Sequence, residues 1–253
     1  MNVAALPILS DNYVFVLWDH AGGRAAVVDP GEAEPVVVWL QRNAVALDSI
    51  LLTHHHGDHV VGVAEVRRLH GDARVVGAAR DRKRLPALTE AVSEGDTVAV
   101  LGREARVLEV DGHTLGHVAY FVPDEAGGGD LFSGDTVFGG TIGNLFEGTP
   151  DDMFASMVKI RALPPATRIW CSHEYTLQYV REAARFDPGN PRLASRLATL
   201  ERRAAAGDTV TVPLTIDEEQ ATNPFFRWDD PDMTARASAP AGLPTFRRLC
   251  ELL

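Results

Sequence analysis

Cysteine is nearly absent from this chain of 253 residues, which has only Cys171 and Cys250. Two thiols are too few for a disulfide framework, so a hydrophobic core must hold the fold, and a reducing cytoplasm is the expected setting. Long apolar runs are missing as well, and none approaches the roughly 20 residues that span a bilayer. No Lys or Arg precedes Arg24, so the N-terminus lacks the basic region of a secretory signal, and the chain reads as soluble and unsecreted. Basic charge is in deficit. Lys and Arg number 24 against 35 Asp and Glu, and a net charge of −11 repels a phosphate backbone, which argues against nucleic acid as a partner. There are no internal repeats. What the chain does have is apolar mass, 45% of its residues, enough for one large domain or two smaller ones.

Its most informative segment is Thr53-His54-His55-His56-Gly57-Asp58-His59, directly after the apolar run Ile50-Leu51-Leu52. His54 and His56 are two apart on extended chain, so their imidazoles project to one side and can clasp one ion. Asp58 and His59 fall where the spacing of Val60, Val63, Val66 and Leu69 predicts a helix, and from that next turn they can hold a second ion. A polar turn with Asp58 as N-cap accounts for Asp58 but not for the histidines, which would repel one another if protonated. His55 is expected to point away from its neighbours on extended chain, either backing the ligands or sitting in the loop.

Three further ligand types close a strand and open a loop. His113 follows Arg106-Val107-Leu108-Glu109-Val110, Asp135 follows Asp130-Leu131-Phe132, and His173 follows Arg168-Ile169-Trp170-Cys171. Sites in layered α/β folds collect at strand ends, so the recurrence of one arrangement along the chain is stronger evidence than any single motif.

In their order, these motifs resemble the metallo-β-lactamase superfamily, and within it glyoxalase II, the hydroxyacylglutathione hydrolases. The narrowing rests on Thr53 to His59, Asp111-Gly112-His113-Thr114-Leu115-Gly116-His117, Gly134-Asp135-Thr136, Phe146-Glu147-Gly148-Thr149, His173-Glu174-Tyr175-Thr176 and Ala221-Thr222-Asn223-Pro224-Phe225-Phe226-Arg227. Leu6-Pro7, Asp11-Asn12-Tyr13 and Val28-Asp29-Pro30-Gly31 are similar to the first strands of that family. The resemblance implies that His54, His56 and His113 bind one divalent metal, that Asp58, His59 and His173 bind another, and that Asp135 bridges them. Imidazole and carboxylate donors suit zinc first, with iron or manganese as options, and the lack of thiolate ligands argues against a closed structural zinc site. Two ions about 3.5–4 Å apart hold a shared water as hydroxide at neutral pH, a nucleophile for a thioester carbonyl. A thiol with a pKa near 8.5 leaves without a proton donor, whereas an amine does not, and no dedicated general acid stands among these motifs, although Asp58 can shuttle a proton. Asp58 and Asp135 are therefore the expected catalytic carboxylates. Asp29 either caps a turn or orients a ligand from behind. His117 is expected to be structural, and His20 and His70 have no assigned role.

The expected fold is α/β: an αβ/βα metallo-β-lactamase sandwich over residues 1–174, followed by a helical substrate-binding cap over 175–253. Helical patterns run over Val36 to Asn43, His59 to His70, Asp152 to Leu163, Leu177 to Phe186 and Leu193 to Ala206, with no strand pairing after 175. Asp124 to Asp130 reads as a hairpin loop. The expected substrate is S-D-lactoylglutathione or a close 2-hydroxyacyl thioester, cleaved to glutathione and D-lactate in methylglyoxal detoxification, and the expected protein is a monomer. Asn144, Phe146, Tyr175, Arg247 and Arg248 are the candidate substrate contacts. The glutathione side departs from the family pattern: Asn144 stands where the family has Lys or Arg, and Cys250 stands at a usual Arg position. Arg247 and Arg248 either substitute or form a solvated helix face. A lost carboxylate–Arg contact costs about 1.5–3 kcal/mol, which weakens binding and spares the hydrolytic step. A hydrolase of a thioester of another thiol stays open, as do two other classes: a mono-iron glutathione persulfide dioxygenase that leaves the second site empty, and a scaffold that keeps the fold without turnover.

Overall fold

A computed structural model describes residues 1–19, 21–71 and 73–253. The first sheet runs β1 (Asn2–Ile8), β2 (Asn12–Asp19), β3 (Arg24–Val28), β4 (Ala46–Leu51), β5 (Arg74–Ala78) and β6 (Glu90–Val92), paired in that order. β1 to β3 form an antiparallel meander, and β3 to β6 are parallel. The parallel strands carry near-continuous apolar runs, Ala25 to Val28 and Ile50 to Leu52, because both faces are covered. Their crossovers are helical: α1 (Glu34–Asn43) joins β3 to β4, and α2 (Gly57–Val60) with α3 (Val63–Leu69) joins β4 to β5. Trp39 of α1 packs edge-on against Trp18 of β2 at 5.0 Å.

The second sheet has β7 (Thr97–Val100), β8 (Arg103–Glu109), β9 (Val118–Pro123) and β10 (Gly129–Gly134), continued by β13 (Thr167–Cys171) and β14 (Leu214–Thr215); β11 (Val137–Phe138) and β12 (Thr141–Ile142) form a separate hairpin. The sheets face each other across a shared core. Phe15 of β2 meets Phe132 of β10 at 5.8 Å, and the buried Tyr120 hydroxyl of β9 donates to the Leu52 carbonyl at 2.9 Å. Burial holds that phenol in its protonated, donating form. The remaining helices are α4 (Pro150–Arg161), α5 (Thr176–Phe186), α6 (Pro191–Ala205), α7 (Ile216–Thr222), α8 (Pro231–Ala237) and α9 (Leu243–Leu252). α5 and α6 form a helical hairpin around Val180, Ala183, Leu193 and Leu200. α4 and α9 meet through Phe154 and Phe246 at 5.3 Å.

By contact density the chain forms two compact units. One comprises Met1–Glu109, Gly116–Asp124 and Asp130–Gly134; the other comprises Val110–Leu115, Glu125–Gly129 and Asp135–Leu253.

Two expectations need correction. The single helix over His59 to His70 is interrupted at Val61-Gly62, giving α2 and α3. At that point the chain presses on neighbouring backbone, and a Cβ on Gly62 would fall 2.4 Å from the Pro30 carbonyl oxygen. Residues after 175 do contribute a strand: β14 pairs with β13 through Arg168 with Thr215 and Ile169 with Leu214. Two residues are too few to show an alternating pattern, and the strand exists because the β13 edge accepts it. Asp124 to Gly128 connects β9 to β10, as the glycine-rich hairpin reading anticipates. His20 lies outside the described residues, and His70 caps the C-terminus of α3.

Candidate metal centre

The centre begins at the C-terminal ends of β3 and β4. Asp29, the residue after β3, takes a left-handed conformation with φ of 51°, an uncommon position for a residue with a side chain. Its buried carboxylate is thereby placed to accept three hydrogen bonds: from the Thr53 backbone N–H at 2.8 Å, from the Thr53 hydroxyl at 2.6 Å, and from His59 Nδ1 at 3.0 Å. Because the Thr53 hydroxyl donates to Asp29, its lone pairs face His54 Nδ1 at 3.0 Å. The rings of His54 and His59 are thus both held through Nδ1, which makes Nε2 the nitrogen able to ligate. Asp29 therefore holds Thr53 and His59 from behind. His56 is the N-cap of α2, and Asp58 lies in the first turn rather than at the cap. Asn12 Nδ2 donates to Asp58 Oδ2 at 2.8 Å, fixing the most exposed of these acids. His59 Nε2 lies 3.5 Å from the same carboxylate oxygen.

A second set of residues is organised around Asp135. Its Oδ2 lies 3.4 Å from His113 Nε2 and 3.3 Å from His173 Nε2, and all three side chains are buried. His113 Nδ1 donates to the Asn144 carbonyl at 2.8 Å. The Asn144–Gly148 loop is fastened to the His113 loop by Phe146 N to His113 O, Gly148 N to Gly112 O, and Leu115 N to the Glu147 carboxylate. Asn144 thus acts here through its backbone, while its side chain is exposed. Phe146, 67% exposed, stands edge-on to His113 at 5.2 Å. Tyr175 stacks on His173 at 4.8 Å and 9°, and Phe138 lies edge-on to both.

Donor atoms of His54, His56, His113 and Asp135 lie within 4.8 Å of one another, as do those of Asp58, His59 and His173. A third grouping, Asp29, His54 and His59, reflects the orienting carboxylate. Every residue expected to ligate falls in the first two groups. Nitrogen and carboxylate oxygen donors, presented through Nε2 and mostly buried, fit divalent transition metals, so the clusters can bind metal ions. The expected non-ligand His117 is buried and stacks on His54 at 4.6 Å.

The other candidates lie in different surroundings. On α9, Arg247 donates through Nε and a terminal nitrogen to both carboxylate oxygens of Asp151, at 2.6 and 2.5 Å. Arg248 pairs with Glu251 on the same helix. Both arginines are exposed and already matched to acids. Sequence reasoning assigned nothing to Asp81, whose buried carboxylate meets His55, because it sits in the charged run Arg80-Asp81-Arg82-Lys83-Arg84 and looks like surface.

Residues 9–173 match the metallo-beta-lactamase superfamily, and residues 174–252 match the hydroxyacylglutathione hydrolase C-terminus. A hydroxyacylglutathione hydrolase of Synechococcus sp. (strain JA-3-3Ab) is 47% identical over 98% of this chain and 97% of its own length. The chain belongs to the hydroxyacylglutathione hydrolase family. Among solved structures, ETHE1 from Myxococcus xanthus shares the fold with a TM-score of 0.68 at 22% identity, over 99% of this chain and 90% of that one. TTHA1623 in a di-iron-bound form aligns with a TM-score of 0.62 at 25% identity, over 89% of this chain and 100% of that one. The architecture is thus the metallo-β-lactamase fold followed by the helical C-terminal region of the hydroxyacylglutathione hydrolases. Among the described residues no helix is long and apolar enough to cross a membrane.

Proposed function

We propose that this protein hydrolyses S-D-lactoylglutathione and related S-(2-hydroxyacyl)glutathiones to glutathione and the free 2-hydroxy acid, as the thioesterase step of methylglyoxal detoxification. The observation that carries the reading is the placement of Asp135, with one carboxylate oxygen against His113 and His173, residues of the two different donor clusters. His54, His56 and His113 would hold one divalent cation, Asp58, His59 and His173 a second, and Asp135 would touch both. Zinc is the proposed metal, with iron and manganese compatible with the same donors. The di-iron form of TTHA1623 supports double occupancy.

When bound, such a pair of cations supplies an acidified water and positive charge for the developing oxyanion. The protein's own residues do the rest. Asp58, anchored by Asn12 and partly open to solvent, would take up and pass on the proton that this water loses. The thiol leaves as thiolate, so no acid is needed on the leaving-group side. Phe146 and Tyr175, beside His113 and His173, offer aromatic walls against which the thioester can be oriented. The exposed Asn144 side chain is a proposed neutral hydrogen-bond donor to the glutathione moiety. Arg247 and Arg248 would have to leave Asp151 and Glu251 to grip a carboxylate, and that pairing favours the solvated-face reading. We propose residues 1–174 as the metal-binding domain and 175–253 as the substrate-binding domain, in a monomeric protein of a reducing cytoplasm; the two free cysteines fit that compartment.

His173→Ala tests the reading. Wild type is expected to carry two metals per chain, the variant one, with kcat down at least 100-fold. A wild type that holds a single iron, consumes oxygen with glutathione persulfide and leaves the thioester intact would overturn it in favour of a dioxygenase.

A further inference from the structure

His55, the histidine of the Thr53–His59 run outside both donor clusters, has its own partner. Its Nδ1 lies 2.9 Å from Asp81 Oδ2, and the Asp81 side chain is 1% exposed. The other Asp81 oxygen accepts from Arg84 Nε, which reaches back three residues. Each oxygen of this carboxylate, shielded from water, is thus matched by a nitrogen partner. Asp81 is also packed from the far side: Gly116 has φ of +90°, and a Cβ there would fall 3.0 Å from Asp81 Cβ. The same turn carries His117, whose ring stacks on His54. On its other edge the His55 ring stands against His56 at 5.0 Å and 71°, and against His54 at 6.4 Å and 79°.

We propose that Asp81 is a positioning residue for the metal centre, acting through His55 to fix the ring of His56 and so the donor geometry of the His54, His56, His113 and Asp135 cluster. The inference rests on the metal-centre reading above. Asp29 holds His59 directly and His54 through the Thr53 hydroxyl, and the ring of His56, less buried than either, packs against the ring of His55. The Arg84–Asp81–His55 chain ties that ring to the end of β5, one strand away from the motif. Outer partners of this kind typically change metal affinity by about 10–100-fold when removed.

The test uses the His173→Ala protein, whose remaining complete cluster is the one that contains His56. Cobalt(II) affinity and the cobalt d–d spectrum are measured in that background for His55→Ala, Asp81→Ala and the double variant, with the Tm of each metal-free protein alongside. Asp81→Ala and His55→Ala are each expected to weaken cobalt binding about 10–100-fold and to shift the d–d bands, and the double variant should bind no more weakly than His55→Ala, because the two residues act along one path. Unchanged affinity and spectrum, or losses that add in the double variant, would overturn the proposal. If Asp81→Ala does not fold, His55→Ala alone decides by the same affinity and spectrum. A wild type that binds no metal would instead sink the metal-centre reading itself; two metals in wild type with an indifferent His55→Ala would sink only the role of Asp81.

Discussion

Asp29 shows how much one side chain can organise. Its carboxylate holds Thr53 twice and His59 once, from a backbone conformation that Asn also tolerates. Asp29→Asn should therefore fold, yet it cannot accept all three hydrogen bonds, and metal affinity measured by chelator competition should drop about 10–100-fold. Equal affinity would mean that Asp29 only shapes the turn. The cysteines give a prediction on pH. Burial pushes the Cys250 thiol up to about 11 and Cys171 further, so both stay protonated at neutral pH. Ellman's reagent at pH 8 should label the native protein at least about 100-fold more slowly than an unperturbed thiol, with the Cys250 rate climbing as pH approaches its raised pKa. Rapid labelling at pH 8 would contradict the burial. Arg247→Ala should leave KM for the thioester within about twofold, since the guanidinium is engaged by Asp151; a tenfold rise would return Arg247 to the substrate. Legibility at this scale divided along chemical lines. Histidines crowded at a strand end are conspicuous because few structural roles need them, so His54, His56 and His59 stood out as candidates, His113 and His173 followed from their places at other strand ends, and the structure brings all five into the donor clusters. Asp81 could not: an acid among basic residues has the composition of a solvated surface, and only the fold turns it inward.

Elements divided in the same way. α4 and α6 were legible from their apolar spacing, and the structure adds marked starts: Thr149 and Asp152 cap each other's backbone, and Asn190 accepts from Arg192 and Leu193 N–H while its amide donates to Ala221. Asn190→Ala should cost about 1 kcal/mol, seen as a fall of about 2–4 °C in Tm. No shift would show that α6 is held by packing alone. The two-residue β14 was not legible, nor was the buried contact that α7 makes with the β11–β12 hairpin. Glu219 of α7 accepts from Arg196, from Gly140 N–H at 3.0 Å and from Asn223 at 2.9 Å, and Asn223 donates to the Phe138 and Thr141 carbonyls. The helix thereby holds the hairpin whose Phe138 packs on His173 and Tyr175. In sequence, Glu218-Glu219-Gln220 looks like a polar helix face, because long-range pairing leaves no local trace. Removing one partner of such a buried pair typically costs about 3–5 kcal/mol, so Glu219→Ala should unfold at markedly lower denaturant than wild type.

Across the whole chain, the sequence resemblance, the fold and the donor clusters point to one chemistry, whereas the substrate side is less completely written. Metal ligands must be particular residue types at fixed spacing, so they survive as motifs. Substrate contacts can come from backbone, aromatic faces or water, and Asn144, whose carbonyl accepts from His113, shows a backbone role that a residue's identity does not reveal. The proposed binuclear centre, formed only in the folded protein, would also contribute to stability by mass action, so removal of metal with a chelator should lower Tm and readdition should restore it. The most direct measurement is steady-state hydrolysis of S-D-lactoylglutathione by metal-analysed protein, beside the same acyl group on coenzyme A. The account predicts two metals per chain and a kcat/KM at least tenfold higher for the glutathione thioester. Two-metal protein that leaves the glutathione thioester intact, or that prefers the coenzyme A thioester, would contradict it.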